Sequence, residues 1–464
     1  MSKKTTQQWI AGSAVTAASA LILTACGSGG AVNDASDGLL MWTLEVQPDR
    51  LEVQQEVLAR FTEATGTEVE LVPVEQDQVA QLIASSALAG ELPDLVAAAT
   101  LGSIRSFESE GYLNHDIAGD VISALGADTF TEASLELTEA DGEHLAVPTD
   151  AWAQILVYRT DLFEAAGLEA PTTYDALLTA AETLTQGDQF GITLATDPSG
   201  TFTQETFESV ALGDSCQLVS DEREVTFGSS ECTTAVDLYT ELGSKYSPAG
   251  TQTVESTRAS YFSGQSAMIM WSTFLLDELA GLRNDAAPTC DECNSNTWLA
   301  ENSAIVPLIT GPDAGDDAGS FGEITSFAAT SAASPEETTA LIEFLMTDGY
   351  VDWLGMAPEG KMPVRHGETA DSTEYLDAWA ALETGVDTRA SLGSIYSEET
   401  IATLLDVTEN IARWALPQGQ GDILGPFNAQ LPVAKSLSEA TSGSIDAATA
   451  QQDIVDAITE IAAE

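Results

Sequence analysis

Basic residues are what this chain lacks most: 15 Lys and Arg face 74 Asp and Glu over 464 residues. Such a balance repels nucleic acid and anionic lipid headgroups and excludes both as partners. Histidine is nearly absent. Only His115, His144 and His366 occur, and no His-Glu-x-x-His pair exists to hold a catalytic metal. There is no Gly-x-Ser-x-Gly elbow and no glycine-rich phosphate loop ending in Lys. Beyond Cys26 no apolar run is long enough to cross a bilayer. Carboxylate pairs of the glycosidase kind carry no weight here, because 74 acids always offer pairs. The expectation is a protein that is not an enzyme and needs neither cofactor nor metal.

What is present begins at the N-terminus. Lys3 and Lys4 precede an apolar run from Trp9 to Leu23, and Leu23-Thr24-Ala25-Cys26 completes a lipobox. This order of basic, apolar and small residues before a cysteine reads as a signal peptide over 1–25, with a lipid-modified Cys26. Residues 26–37 read as a polar, lipidated tether. The remainder is expected on the extracytoplasmic face of the cell membrane, held there only by the lipid.

The first 25 residues hold two lysines and no acid, so their removal takes the formal charge from −59 to −61. Because the acids are spread along the whole chain, this reads as a solvated surface for a saline medium; collection of cationic ligands is the alternative. Hydrophobic content of 44% supports a globular protein rather than a disordered one. The length after processing suits two domains. With Cys26 assigned to lipid, Cys216, Cys232, Cys290 and Cys293 remain, an even number outside the cell. Sequence proximity favours Cys216–Cys232 and Cys290–Cys293 disulfides, with crossed pairing open. Cys290 and Cys293 lack the second half of a zinc site, and their acidic flanks disfavour a redox pair.

Hydrophobic periodicity predicts strands at 39–44, 69–74 and 95–99. It predicts helices at 49–65, carrying Val53, Val57, Phe61 and Ala64, and at 76–89, carrying Val79, Leu82 and Ile83. This β-α-β-α-β order implies a parallel sheet covered by helices. Thr173 precedes a helix with Leu177 and Leu184. Ser334-Pro335-Glu336-Glu337 carries helix-start signals, and Ile454, Ile458 and Ile461 mark a C-terminal helix. Gly213-Asp214-Ser215 resembles the opening of one class of lipolytic enzymes, but no Asp-x-x-His follows to supply a base.

Several segments recur in a familiar order. They are Gly90-Glu91-Leu92-Pro93-Asp94-Leu95-Val96, Gly111-Tyr112-Leu113, Leu145-Ala146-Val147-Pro148 and the run Val157 to Leu168. Pro171-Thr172-Thr173-Tyr174-Asp175-Ala176-Leu177, Phe262-Ser263-Gly264-Gln265-Ser266-Ala267-Met268 and Gly360-Lys361-Met362-Pro363-Val364-Arg365 complete the set. The chain resembles the family 1 extracellular solute-binding proteins of bacterial ABC importers, relatives of the maltose-binding protein. The resemblance spans about residues 39–430. It implies an α/β fold of two lobes joined by a hinge with crossing segments, lobe 1 at 38–150 and 304–350 and lobe 2 at 151–303 and 351–464. It implies a monomeric receptor that captures a carbohydrate and delivers it to ABC transporter permease subunits. A polyamine or other cation is the alternative ligand, and a lipid-anchored hydrolase the alternative class.

A sugar site needs aromatic platforms and hydrogen-bond acceptors for hydroxyls. Trp42 and Glu45 close the first strand, and Asp150 and Trp152 follow Pro148 at the implied crossing. Where the family usually writes Gly-x-Trp, this chain has Ser272-Thr273-Phe274, with Trp271 three positions earlier, so Trp271 or Phe274 is the expected platform. Glu323, near the second crossing, completes the candidate set, and Arg365 is expected to brace the hinge.

Two outcomes follow from these readings. Cys26→Ser should leave the fold intact and move the protein from the membrane fraction to the medium; retention in the membrane would contradict the lipobox. Screening of a formal charge of −61 should raise the melting temperature from low to molar NaCl, whereas a specific cation ligand would saturate at low concentration.

Overall fold

The computed structural model describes residues 38–463 except 294, 296 and 316. The signal, Cys26 and the tether lie outside the described residues. The first element is strand β1, Leu39–Thr43, followed by helix α1, Pro48–Thr65, strand β2, Val69–Pro73, helix α2, Val79–Ala89, and strand β3, Leu95–Thr100. β1 pairs parallel with both β2 and β3, as the alternation predicts. Pro48 opens α1 at its first position, and Gly66 closes it at φ 82°, a left-handed conformation that favours glycine. The helix buries Val57, Leu58 and Phe61, but Ala64 is exposed, because its apolar stripe turns toward Gln54 and Leu58. α2 starts three residues later than expected, after a turn from Glu75 to Gln78. It buries only Val79 and Ile83 and leaves Leu82 outside the core.

Asp94 explains the Pro-Asp motif before β3. Its carboxylate accepts the Leu40 N–H at 2.9 Å and the Ser334 N–H at 2.8 Å, joining β1 to a helix start 240 residues away. Helix α3, Leu101–Ser109, and helix α4, His115–Leu125, complete this first layer.

The architecture turns on strand β4, Val147–Arg159, which is 13 residues long and buried except at Trp152 and Tyr158. The chain continues through helix α5, Tyr174–Leu184, helix α6, Thr201–Leu212, strand β5, Met268–Ser272, strand β6, Ser303–Val306, and strand β7, Ser320–Ala329. β7 runs antiparallel to β3 and to the first half of β4, so the parallel order of the β2-β1-β3 end does not extend across the sheet. From Gln154 onward β4 pairs instead with β5 and β6. One strand therefore belongs to two sheets, which is the crossing the resemblance implies. The expected lobe limits at 304 and 350 fall inside β6 and at the first residue of helix α8, Tyr350–Gly355, a helix that packs on α1.

Helix α7, Pro335–Leu345, begins where expected, yet the Ser334 side chain makes no cap; its backbone is held by Asp94 instead. The short strand β8, Met362–Pro363, pairs with β4, and β9, Ile411–Ala412, pairs with the start of β7. Helix α9, Ala447–Ala462, buries Ile454, Ile458 and Ile461, as its spacing predicts. Both favoured disulfides, Cys216–Cys232 and Cys290–Cys293, are formed. Arg365 is 1% exposed and donates to the backbone carbonyls of Met346 at 2.6 Å and Leu125 at 3.3 Å. It binds the ends of α4 and α7 together, a bracing role.

Candidate functional site

Four charges from three stretches of chain meet where β1 ends and β4 begins. Lys361, 2% exposed, donates to Glu45 at 2.6 Å and to Asp150 at 3.2 Å. Arg50, one turn into α1, donates to the other Glu45 oxygen at 2.6 Å. The second Asp150 oxygen accepts from Thr149 at 2.7 Å, Thr325 at 2.8 Å and the Trp353 indole at 2.8 Å. A register shift in β4 between Pro148 and Asp150 accompanies this convergence. Burial pushes the Glu45 carboxyl up, but Lys361 and Arg50 outweigh it and bring it down to about 2. Glu45 and Asp150, both expected as ligand acceptors, thus have their charge matched by Lys361 and are 9% and 1% exposed.

A second cluster lies one step along the same strands. Trp152 pairs in register with Glu323 across β4 and β7. Its ring sits 6.1 Å from Phe274 and 5.7 Å from Phe321, centroid to centroid. Trp152 and Phe274 remain half-buried while Phe321 is covered. Phe274 lies against Gly360, where a Cβ would come within 1.9 Å of the ring, so that motif glycine is required by close approach. Gly322 plays the same part beside Trp152, since its Cβ would lie 2.9 Å from the Trp152 carbonyl oxygen.

Behind Phe321 stands Arg413, with its guanidinium 4.5 Å from the ring centroid. It donates to Glu323 at 3.0 Å and approaches Glu208 at 3.4 Å. The other Glu323 oxygen accepts the Leu101 N–H at 2.7 Å, the first N–H of α3, where the helix dipole favours a carboxylate. α6 brings Glu208 to this wall. Its place is set by a Ser209–Ser320 hydroxyl contact of 2.9 Å and by the Tyr174 hydroxyl, which donates to the Val210 carbonyl. Burial raises Glu208, with Arg413 opposing. Gln204 on the same helix donates to Asn428 at 2.7 Å. Asn428 and Thr100 help line an open groove of about 370 Å³ beside α2 and α3. A larger groove of about 620 Å³, lined by Gln252, Arg258 and Thr289 among others, shares no residue with this cluster.

The expected set therefore divides. Trp152, Phe274 and Glu323 come together around one half-exposed surface, whereas Glu45 and Asp150 join the buried charge network. Trp42, at 8% exposure, packs in the core. Trp271, at 6%, is core as well, edge-on to Phe202 at 4.8 Å. Sequence reasoning missed Glu208, Phe321 and Arg413. The available signal was scarcity: Arg389, Arg413 and Lys435 are the only basic residues after Arg365.

The family profile described as bacterial extracellular solute-binding protein matches residues 47–352. The chain belongs to that family. The solute-binding protein of Escherichia coli K12 called "Putative ABC transporter periplasmic-binding protein YcjN" is 25% identical over 337 residues, 71% of this chain and 73% of its own length. Among solved structures, the Thermotoga lettingae solute-binding protein bound with alpha-D-tagatose has a TM-score of 0.64 at 19% identity, covering 92% of this chain and 100% of that one. The cyclic alpha-maltosyl-1,6-maltose binding protein of Arthrobacter globiformis has a TM-score of 0.67 at 16% identity, covering 92% and 98%. At these identities the structures establish the fold, a two-lobed periplasmic-binding architecture. The receptor is thus a non-enzymatic, extracellular solute-binding protein. No helix among its described residues is long and apolar enough to cross a membrane.

The charge network yields a stability prediction. Lys361→Met should cost about 3–5 kcal/mol in denaturant unfolding, because buried Asp150 loses its counter-ion and Glu45 is left with Arg50 alone. Glu45 is depressed from its ordinary 4.5, so its contribution is complete above 4.5 and lost as pH falls through about 2. The stability gap between the unmodified protein and Glu45→Gln should therefore close across that acid window.

Proposed function

We propose that this receptor is a lipid-anchored protein that captures a carbohydrate and delivers it to the permease subunits of its importer. The observation that carries the reading is the half-exposed pair Trp152 and Phe274, held at the strand that joins the two sheets and flanked by Glu323. Tilted aromatic faces receive the apolar faces of a sugar ring, and carboxylates accept its hydroxyl protons. The two structural relatives described above, named for tagatose and for a maltosyl-maltose, support the ligand class. The lipobox at Cys26 supports the anchor. The lobes are proposed to hinge where β4 passes from β7 to β5 and β6, so that closure over the ligand becomes the signal the permease reads.

Titration of intrinsic tryptophan fluorescence with a panel of mono- and oligosaccharides tests the reading. A saturable response is expected. Trp152→Ala should weaken that binding about ten- to a hundredfold, the loss of an aromatic hot spot of about 1–3 kcal/mol. Trp271→Ala should instead lower stability by about 3–5 kcal/mol, since it empties part of the core. A panel with no saturable sugar, or a Trp152→Ala variant that binds as tightly as the parent, would overturn the proposal.

A further inference from the structure

The groove of about 370 Å³ beside α2 and α3 is lined by two stretches of chain far apart in sequence. Gln76, Gly102 and Ser106 come from one, and Gly425 and Asn428, on the helix Leu424–Gln430, from the other. Its volume lies at the small end of the range for ligand pockets, about 300–1,000 Å³. Glycine weakens a helix relative to alanine, so a helical glycine needs a reason. Among the described glycines without a positive φ, only Gly102, Gly119 and Gly425 would point a Cβ into open space, with no atom within 4 Å. Two of these three line this groove. Packing does not require them there, whereas the close approach of a ligand to the backbone would.

The groove also holds a prepared hydrogen-bonding group. Gln204, 3% exposed, donates its amide to Asn428 Oδ1 at 2.7 Å, which leaves the Asn428 N–H donors for the groove. The charged lining residues are Arg105 and Asp422, and both are engaged elsewhere. Arg105 donates to the carbonyls of Leu137 at 3.0 Å and Glu139 at 2.7 Å, and Asp422 pairs with Arg223 at 2.8 Å.

The groove adjoins the aromatic surface. Trp152 and Glu323 are register partners, a spacing of about 5 Å between Cβ atoms on one face. Glu323 accepts the Leu101 N–H at 2.7 Å, and the residues on either side of Leu101, Thr100 and Gly102, line the groove. Gln204 stands one turn before Glu208, which reaches Glu323 through Arg413.

We propose that this groove is a second sugar subsite continuous with the Trp152 surface, and that the ligand is a neutral oligosaccharide of at least two units. One unit rests on Trp152 and Phe274, and the next enters between Gly102 and Gly425 with its hydroxyls on Asn428. This rests on the carbohydrate reading above. A cationic unit finds no unpaired carboxylate in the lining, and an anionic unit finds no free base.

The test uses the intact protein, calorimetry, and the mono-, di- and trisaccharides of glucose, galactose, mannose and xylose. In the series that binds, the disaccharide should bind at least tenfold more tightly than its monosaccharide. Gly425→Leu, which fills the groove, should bring that ratio toward one, and a melting temperature no lower than the parent's would show the variant folded. Asn428→Ala should weaken the disaccharide about fivefold or more. A monosaccharide bound as tightly as its disaccharide, or a Gly425→Leu variant that keeps the ratio, would overturn the second subsite and leave the carbohydrate reading standing. Tighter binding of the β-1,4-linked glucosamine disaccharide or of digalacturonate than of any neutral disaccharide would overturn the neutral assignment. Saturation by no saccharide would defeat the carbohydrate reading and this inference with it.

Discussion

Lys361 holds together the place where the fold changes direction. Its ammonium group lies between Glu45 at the end of β1 and Asp150 on β4, and it contacts Trp353 of α8 at 5.0 Å from the ring centroid. A buried charge is tolerable only when its partners are close and hydrogen-bonded. Both acids satisfy that condition, Glu45 with Arg50 and Asp150 with three neutral donors. The network ties the parallel β2-β1-β3 end of the sheet to the strand that leaves it. The aromatic surface at Trp152, two residues beyond Asp150, inherits its position from this anchor.

Four of the few basic residues are turned inward. Arg159, Lys361, Arg365 and Arg413 are each between 1% and 6% exposed, although the chain holds 15 Lys and Arg against 74 acids. Arg365 joins helix ends through carbonyls, Lys361 joins carboxylates, and Arg413 orders the wall of the candidate cleft.

Much of the fold was legible. β1, β2 and β3 fall within a residue of the strands read from periodicity, because a buried strand needs an apolar run bounded by polar turns. Gly66 and Thr173 mark helix ends by local chemistry that needs no distant partner. Local signals misled where a helix packs narrowly. Leu82 has the spacing of a buried residue, but α2 meets the core along one edge and leaves it outside. Ser334 has the composition of a cap, but Asp94 reaches its backbone first.

The sequence by itself determined the order of elements, the disulfide pairs favoured by proximity, the family, and the aromatic pair Trp152 and Phe274 as candidates. All of these depend on neighbours along the chain or on motifs read in order. Only the tertiary structure decided which charges meet. Lys361 and Asp150 are 211 residues apart in the chain and 3.2 Å apart in space. Glu45 and Asp150 were reasonable ligand acceptors until that pairing was seen. Ionic interaction depends on distance through space and on the water excluded between the groups, and neither quantity is written in the order of residues.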